Sequence, residues 1–125
     1  MFVAVDTNSL IYSVRNKIDI LAQLRSNFGP SAIYIPDRVI KELKNLVENA
    51  KKDADKEAAK VALQLIKQRQ FPIVEIGEEG HTDDLLLAWA VKNKAAVMTN
   101  DVQFRFRLKE SGIRVLYFMQ GKIAE

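Results

Sequence analysis

Residues 1–8 read Met-Phe-Val-Ala-Val-Asp-Thr-Asn, an apolar run from Phe2 to Val5 that stops at Asp6. Apolar residues without polar alternation are the pattern of a short strand covered on both faces. Asp-Thr-Asn suits the start of a helix, and Leu10, Ile11 and Val14 then recur at helical spacing over Ser9 to Arg15. Residues 95–101, Ala-Ala-Val-Met-Thr-Asn-Asp, have the same order: a strand over Ala95 to Met98, a polar stop, an acid, and then a helix over Val102 to Glu110.

Outward from these two stretches, apolar runs alternate with helical patterns. Asp19 to Asn27 is helical, with Ile20, Leu21 and Leu24 on one stripe, and Phe28-Gly29-Pro30 breaks it. Ala32 to Ile35 is a second strand, and Pro36 suits the first turn of the helix that follows. That helix carries Val39, Leu43, Leu46 and Val47, and its pattern continues through the charged, Ala-rich residues 51–60 to Val61, Leu65 and Ile66. Phe71 to Ile76 is a third strand, closed by Gly77-Glu78-Glu79-Gly80; Thr82 then caps an apolar helix through Val91. Ser111-Gly112 ends the helix begun at Val102, and Ile113 to Phe118 is the last strand. Five strands separated by helices predict a three-layer α/β/α fold with a mostly parallel sheet. With no linker or repeat, residues 1–125 form a single domain on this reading.

Of the 125 residues, 48% are hydrophobic and 28% charged, too short a chain for two domains of ordinary size. The absence of Cys and a lone histidine, His81, exclude thiol nucleophiles, iron–sulfur clusters and multi-His zinc or copper sites. Any metal must therefore be held by oxygen. Lys and Arg number 19 against 16 Asp and Glu, a net charge of +3 that favours an anionic partner only weakly. No apolar run is long enough to span a membrane, and no basic stretch precedes Phe2 to Val5 as in a signal peptide. A soluble, cytoplasmic protein is expected.

In open α/β sheets, ligands bind beyond the carboxyl ends of the strands. Asp6 and Asp101 stand there by sequence position, and Asp83 opens a helix whose N-terminus faces the same edge. Glu42 lies one turn into the helix after Ala32–Ile35, bordering its packed stripe. Each acid has an ordinary explanation alone: Asp6 and Asp101 as helix caps, Asp83 and Asp84 as complements of a helix dipole, Glu42 as a salt-bridge partner. Together, four carboxylates at one edge raise each other's pKa unless a cation sits among them. All-oxygen donors select Mg²⁺ or Mn²⁺, ions suited to phosphoryl chemistry. With those four acids neutralised, 12 acids would face 19 cations, a balance of +7 that suits a polyanion. Arg105, Arg107 and Lys109 follow Asp101 and are placed either to hold phosphates or to form a solvated helix face.

Taken in order, Val-Asp-Thr-Asn (5–8), Ile-Pro-Asp-Arg-Val-Ile-Lys-Glu-Leu (35–43), Thr-Asp-Asp-Leu-Leu-Leu-Ala-Trp-Ala (82–90) and Met-Thr-Asn-Asp (98–101) resemble the PIN-domain ribonucleases. The resemblance implies a Mg²⁺- or Mn²⁺-dependent endoribonuclease that cleaves single-stranded RNA by metal-activated water. Asp6, Glu42, Asp83 and Asp101 match its catalytic acids, with Asp6, Asp83 and Asp101 as metal ligands. Thr7, Asn8, Thr99 and Asn100 would orient carboxylates or water, and Asp84 offers an extra ligand. Many members carry another acid two residues past the fourth; here that position is Gln103. A homodimer is also implied. Two branches of the family compete. One holds the toxins of type II toxin–antitoxin pairs, which implies an antitoxin protein as partner. The other holds the PIN endonuclease of small-subunit rRNA processing, which implies a ribosomal precursor particle. The stretch from Gly80 to Gly121, with Asp83-Asp84 and Val-Leu-Tyr-Phe-Met-Gln-Gly-Lys (115–122), is similar to the second.

The rival reading is a non-catalytic RNA- or protein-binding module that keeps the fold; loss of an acid would mark it, and all four are present. A doubly wound nucleotide-binding or receiver-like protein is a further rival. It lacks support in a Gly-rich loop after the first strand, and in a Lys at the end of the last. His81 is read either as a solvated loop residue or as a proton shuttle, and Trp89 as a packing residue. Phe104 and Phe106 cannot share one helix face; one belongs to the core, the other to an interface or a base-stacking contact.

Overall fold

Val3, Ala4 and Val5 have no solvent exposure at all, as the unbroken apolar run requires. They form β1 (Phe2–Val5) near the middle of one sheet in a computed structural model that describes residues 1–125. β1 pairs in parallel with β2 (Ala32–Pro36) on one side and β4 (Ala96–Met98) on the other. β3 (Ile73–Val74) continues beyond β2, and β5 (Val115–Met119) beyond β4, both parallel. β6 (Lys122–Ala124) closes the row antiparallel to β5, giving the order β3-β2-β1-β4-β5-β6.

The helices are α1 (Thr7–Arg15), α2 (Ile20–Phe28), α3 (Asp37–Asn49), α4 (Asp53–Gln68), α5 (Thr82–Asn93) and α6 (Val102–Glu110). Alternation along the strands decides which helices each residue meets. Val3, Val5, Ile33 and Ile35 point into a cluster with Leu10, Leu24, Val39, Leu43 and Ile66 from α1 to α4. Ala4, Val97 and Val115 point the other way, onto Leu86, Ala90, Phe104 and Leu108 of α5 and α6. The architecture is therefore the expected three-layer α/β/α sandwich. No helix is long and apolar enough to cross a membrane.

The sheet has six strands rather than five. After β5 the chain reverses through Gln120 and Gly121, both at positive φ (50° and 76°), the geometry of a two-residue hairpin. Lys-Ile-Ala is too short to show a period of two in the sequence. The third strand shrinks from the expected 71–76 to two paired residues, because it is an edge strand with β2 as its sole neighbour. The helical pattern read through residues 39–66 is two helices: α3 ends at Ala50, whose backbone is extended (φ −62°, ψ 139°). Thr82 does not cap α5; His81 occupies that position without a side-chain capping bond.

Candidate active site

The strand order reverses at β1: the chain first builds outward to β2 and β3, then crosses to β4 and β5. Such a switch point opens a crevice at the carboxyl ends of the two central strands. Asp6 ends β1 and Asp101 follows β4, so both acids flank this crevice. The Asp6 amide donates to the Met98 carbonyl at 3.1 Å, fixing the two strand ends to each other.

Asp6 caps α1 by accepting from the Ser9 amide at 2.8 Å. Burial pushes its carboxyl above the usual carboxylate value; the Thr99 and Ser9 hydroxyls and the Ser9 amide offset part of this, and the Asp83 charge adds to it. Asp101 caps α6, accepting from the Phe104 amide at 3.1 Å. Between them, the wholly buried Thr99 accepts from the Asp101 amide at 3.2 Å and stands beside the Asp6 carboxylate. Thr99 thus links the two strand-end acids. Ser9 was not foreseen, although an Asp three residues before it, at a helix start, is a readable capping signal.

The buried Thr7 donates to Glu42 Oε2 at 2.6 Å, joining α1 to α3 one residue after Asp6. Asp83, in the first turn of α5, is also held above the usual range, first by partial burial and then by the Asp101 charge. The Asp84 and Glu42 charges push the same way, and Arg107 opposes them. The four predicted acids are therefore electrostatic neighbours at one sheet edge. No three acidic or histidine side chains stand close enough to grip one ion as they are. The unbalanced charge and the all-oxygen donors fit a hard divalent cation.

The surroundings of the other expected contributors differ from one to the next. Asn100 exchanges two hydrogen bonds with the Phe118 backbone, at 2.9 and 2.8 Å, and so fastens the β4–α6 loop to β5 rather than orienting a carboxylate. Asn8 is exposed. Asp84 pairs with Arg107 at 2.5 Å. Arg105 lies over the Tyr117 ring, 4.2 Å from its centre, while Lys109 is exposed. Of the two phenylalanines, Phe104 is core and Phe106 is 65% exposed. Trp89 packs beside Tyr34 and the α5–α6 core, as read from its spacing, and His81 is exposed.

Known proteins share this fold. Ribonuclease VapC9 of Archaeoglobus fulgidus is 38% identical over 118 residues, which cover 94% of this chain and 83% of the relative. The PIN domain endonuclease Utp24 superposes with a TM-score of 0.79 at 25% identity, over 98% of this chain and 88% of its own. VapBC2 from Rickettsia felis, solved bound to a DNA fragment from its promoter, shares the fold with a TM-score of 0.68 at 21% identity, over 95% of this chain and 100% of its own. The family described as PIN like domain matches residues 3–121. With the switch-point crevice and its four acids, that match makes this chain a member of the PIN-like domain family.

Proposed function

We propose that this PIN-like domain is an endoribonuclease acting on single-stranded RNA in the cytoplasm, with Mg²⁺ or Mn²⁺ as cofactor. The observation that carries the reading is the gathering of acids from β1, α3, α5 and the β4–α6 loop at the switch point, where burial and neighbouring carboxylates push the Asp6 and Asp83 carboxyls up from their ordinary value. Likeness to a ribonuclease and to an endonuclease supports it. Asp6, Asp83 and Asp101 would hold the ion, whose charge acidifies water and neutralises a phosphate. Glu42, steadied by Thr7, accepts the proton of the attacking water. The new P–O bond forms in line as the bond to the 3′ oxygen breaks, and that oxygen takes a proton from solvent. The products are a 5′-phosphate and a 3′-hydroxyl. Arg105, Arg107 and Lys109, with the exposed Phe106 for base stacking, would line the RNA path.

Among biological roles we favour the toxin of a type II pair, acting as a homodimer and neutralised by an antitoxin protein, because the likeness in sequence to VapC9 is the stronger. The overlay on Utp24 supports rRNA processing within a ribosomal precursor particle as the second reading. The test of the activity is cleavage of a labelled single-stranded RNA with Mg²⁺, Mn²⁺ or EDTA, beside Asp6→Asn. Metal-dependent cutting with 5′-phosphate ends, lost in the variant by 100-fold or more (~3 kcal/mol, the scale of one essential electrostatic group), is expected. Cutting in EDTA, or 2′,3′-cyclic phosphate ends, would refute the mechanism; inactivity throughout would favour the binding module. Growth arrest on expression of the wild type but not of Asp6→Asn is the outcome expected of a toxin.

A further inference from the structure

Between β3 and α5 the chain has no regular structure, and Gly77 and Gly80 take positive φ (129° and 109°), which L side chains rarely adopt. The carbonyls of Gly77, Glu78 and Gly80 converge on a single guanidinium, that of Arg38 in the first turn of α3. Its Nε donates to Gly77 O at 3.2 Å, Nη1 to Gly80 O at 2.6 Å and to Thr82 Oγ1 at 3.4 Å, and Nη2 to Glu78 O. Asp37 extends the attachment, its Oδ1 accepting from the Ile76 amide at 3.3 Å. Only a planar fork of donors reaches this many acceptors at once.

The element so held is the one that needs it. α5 carries Asp83 in its first turn yet has no side-chain cap of its own. Glu42 follows Arg38 by four residues on α3, so the two share a face, and the Glu42 charge already acts on Asp83. A β-carbon at Gly77 would come within 3.0 Å of Leu85 Cδ2, so the segment also packs closely on the first turn of α5. We propose that Arg38, assisted by Asp37, is a positioning residue that sets the separation of Glu42 and Asp83 by locking the start of α5 to α3. The inference rests on the nuclease reading above. Arg38 acts by geometry, so a lysine that keeps the charge and loses the fork fails to replace it.

Arg38→Lys and Arg38→Ala test this, with Arg114→Lys, at an exposed ion pair with Glu125, as control. Three readouts are needed: amide hydrogen exchange over residues 83–86, binding of Mn²⁺ alone by electron paramagnetic resonance, and kcat and KM on single-stranded RNA. In Arg38→Lys, exchange in the first turn of α5 should accelerate at least ~10-fold. Mn²⁺ affinity and kcat should each fall ~10–100-fold, the usual effect of losing a group that orients metal ligands, while KM for RNA moves less than ~2-fold. The control should match the wild type. Should Arg38→Ala fail to fold, Arg38→Lys alone decides. Wild-type Mn²⁺ affinity and kcat in Arg38→Lys, with or without faster exchange, would overturn the inference. A wild type that neither binds Mn²⁺ nor cuts RNA would overturn the nuclease reading itself, a result distinct from failure of the clamp.

Discussion

Asp6 shows how one side chain can serve the fold and strain it together. Its carboxylate caps α1, a contact worth roughly 1 kcal/mol, yet burial disfavours its charge. Because its pKa in the fold lies above the ordinary 3.8, its favourable contribution is present below that value. The contribution is lost as pH rises through the raised one. At neutral pH, well above 3.8, burial of this carboxyl therefore costs the metal-free protein stability. Asparagine caps as well as aspartate and carries no charge, so Asp6→Asn should be more stable than the wild type at pH 7, with the advantage vanishing below pH ~3.8. Urea unfolding of the metal-free pair at both pH values checks this; a variant less stable at pH 7 would count against it. At this scale, the neighbourhood of the acids was legible: Asp6 and Asp101 follow strands, Asp83 opens a helix, and Glu42 lies one turn into α3 beside its packed stripe. Residue type does not give side-chain direction: Asn100 and Asp84 had the right chemistry and neighbourhood, but nearer partners, the Phe118 backbone and Arg107, claim them.

Among the elements, α6 divides its residues most sharply. Phe104 and Leu108 are buried, one turn apart, and leave Val102 and Phe106 facing water at 54% and 65% exposure. Phe106 makes no core contact that its removal would forfeit, so Phe106→Ala should change stability by less than ~0.5 kcal/mol. If it stacks an RNA base, the same change should weaken single-strand binding by ~1–3 kcal/mol, about 5- to 150-fold. Fluorescence anisotropy with a labelled RNA under non-cleaving conditions measures it, and unchanged affinity would remove Phe106 from the RNA path. The division of the two phenylalanines was legible because residues two apart on a helix cannot share a face. The break between α3 and α4 was not. Ala50, Lys51 and Lys52 fit a helix as well as a turn, and only tertiary packing of α3 on α4 decides between them.

For the molecule as a whole, the parallel α/β order was readable from apolar runs alternating with helical ones, whereas β6 was invisible. Its pairing is non-local in effect: Ile123 is buried among residues from the first four helices, and its amide donates to Gln23 Oε1 at 3.1 Å, 100 residues away in sequence. Ile123→Ala should cost about 2–5 kcal/mol, read from the shift of the urea midpoint; a cost below ~0.5 kcal/mol would mean that the last strand is ornamental. The direction of β6 has one more effect. Running back along β5, it returns Glu125 to the edge where the parallel strands begin, beside Arg114, and Met1 starts at that same edge with its ammonium on the Pro30 carbonyl at 2.8 Å. A fluorescent fusion or a surface tether joined at either end would thus leave from the pole opposite the acids, keeping the crevice open to a polymer far longer than the protein.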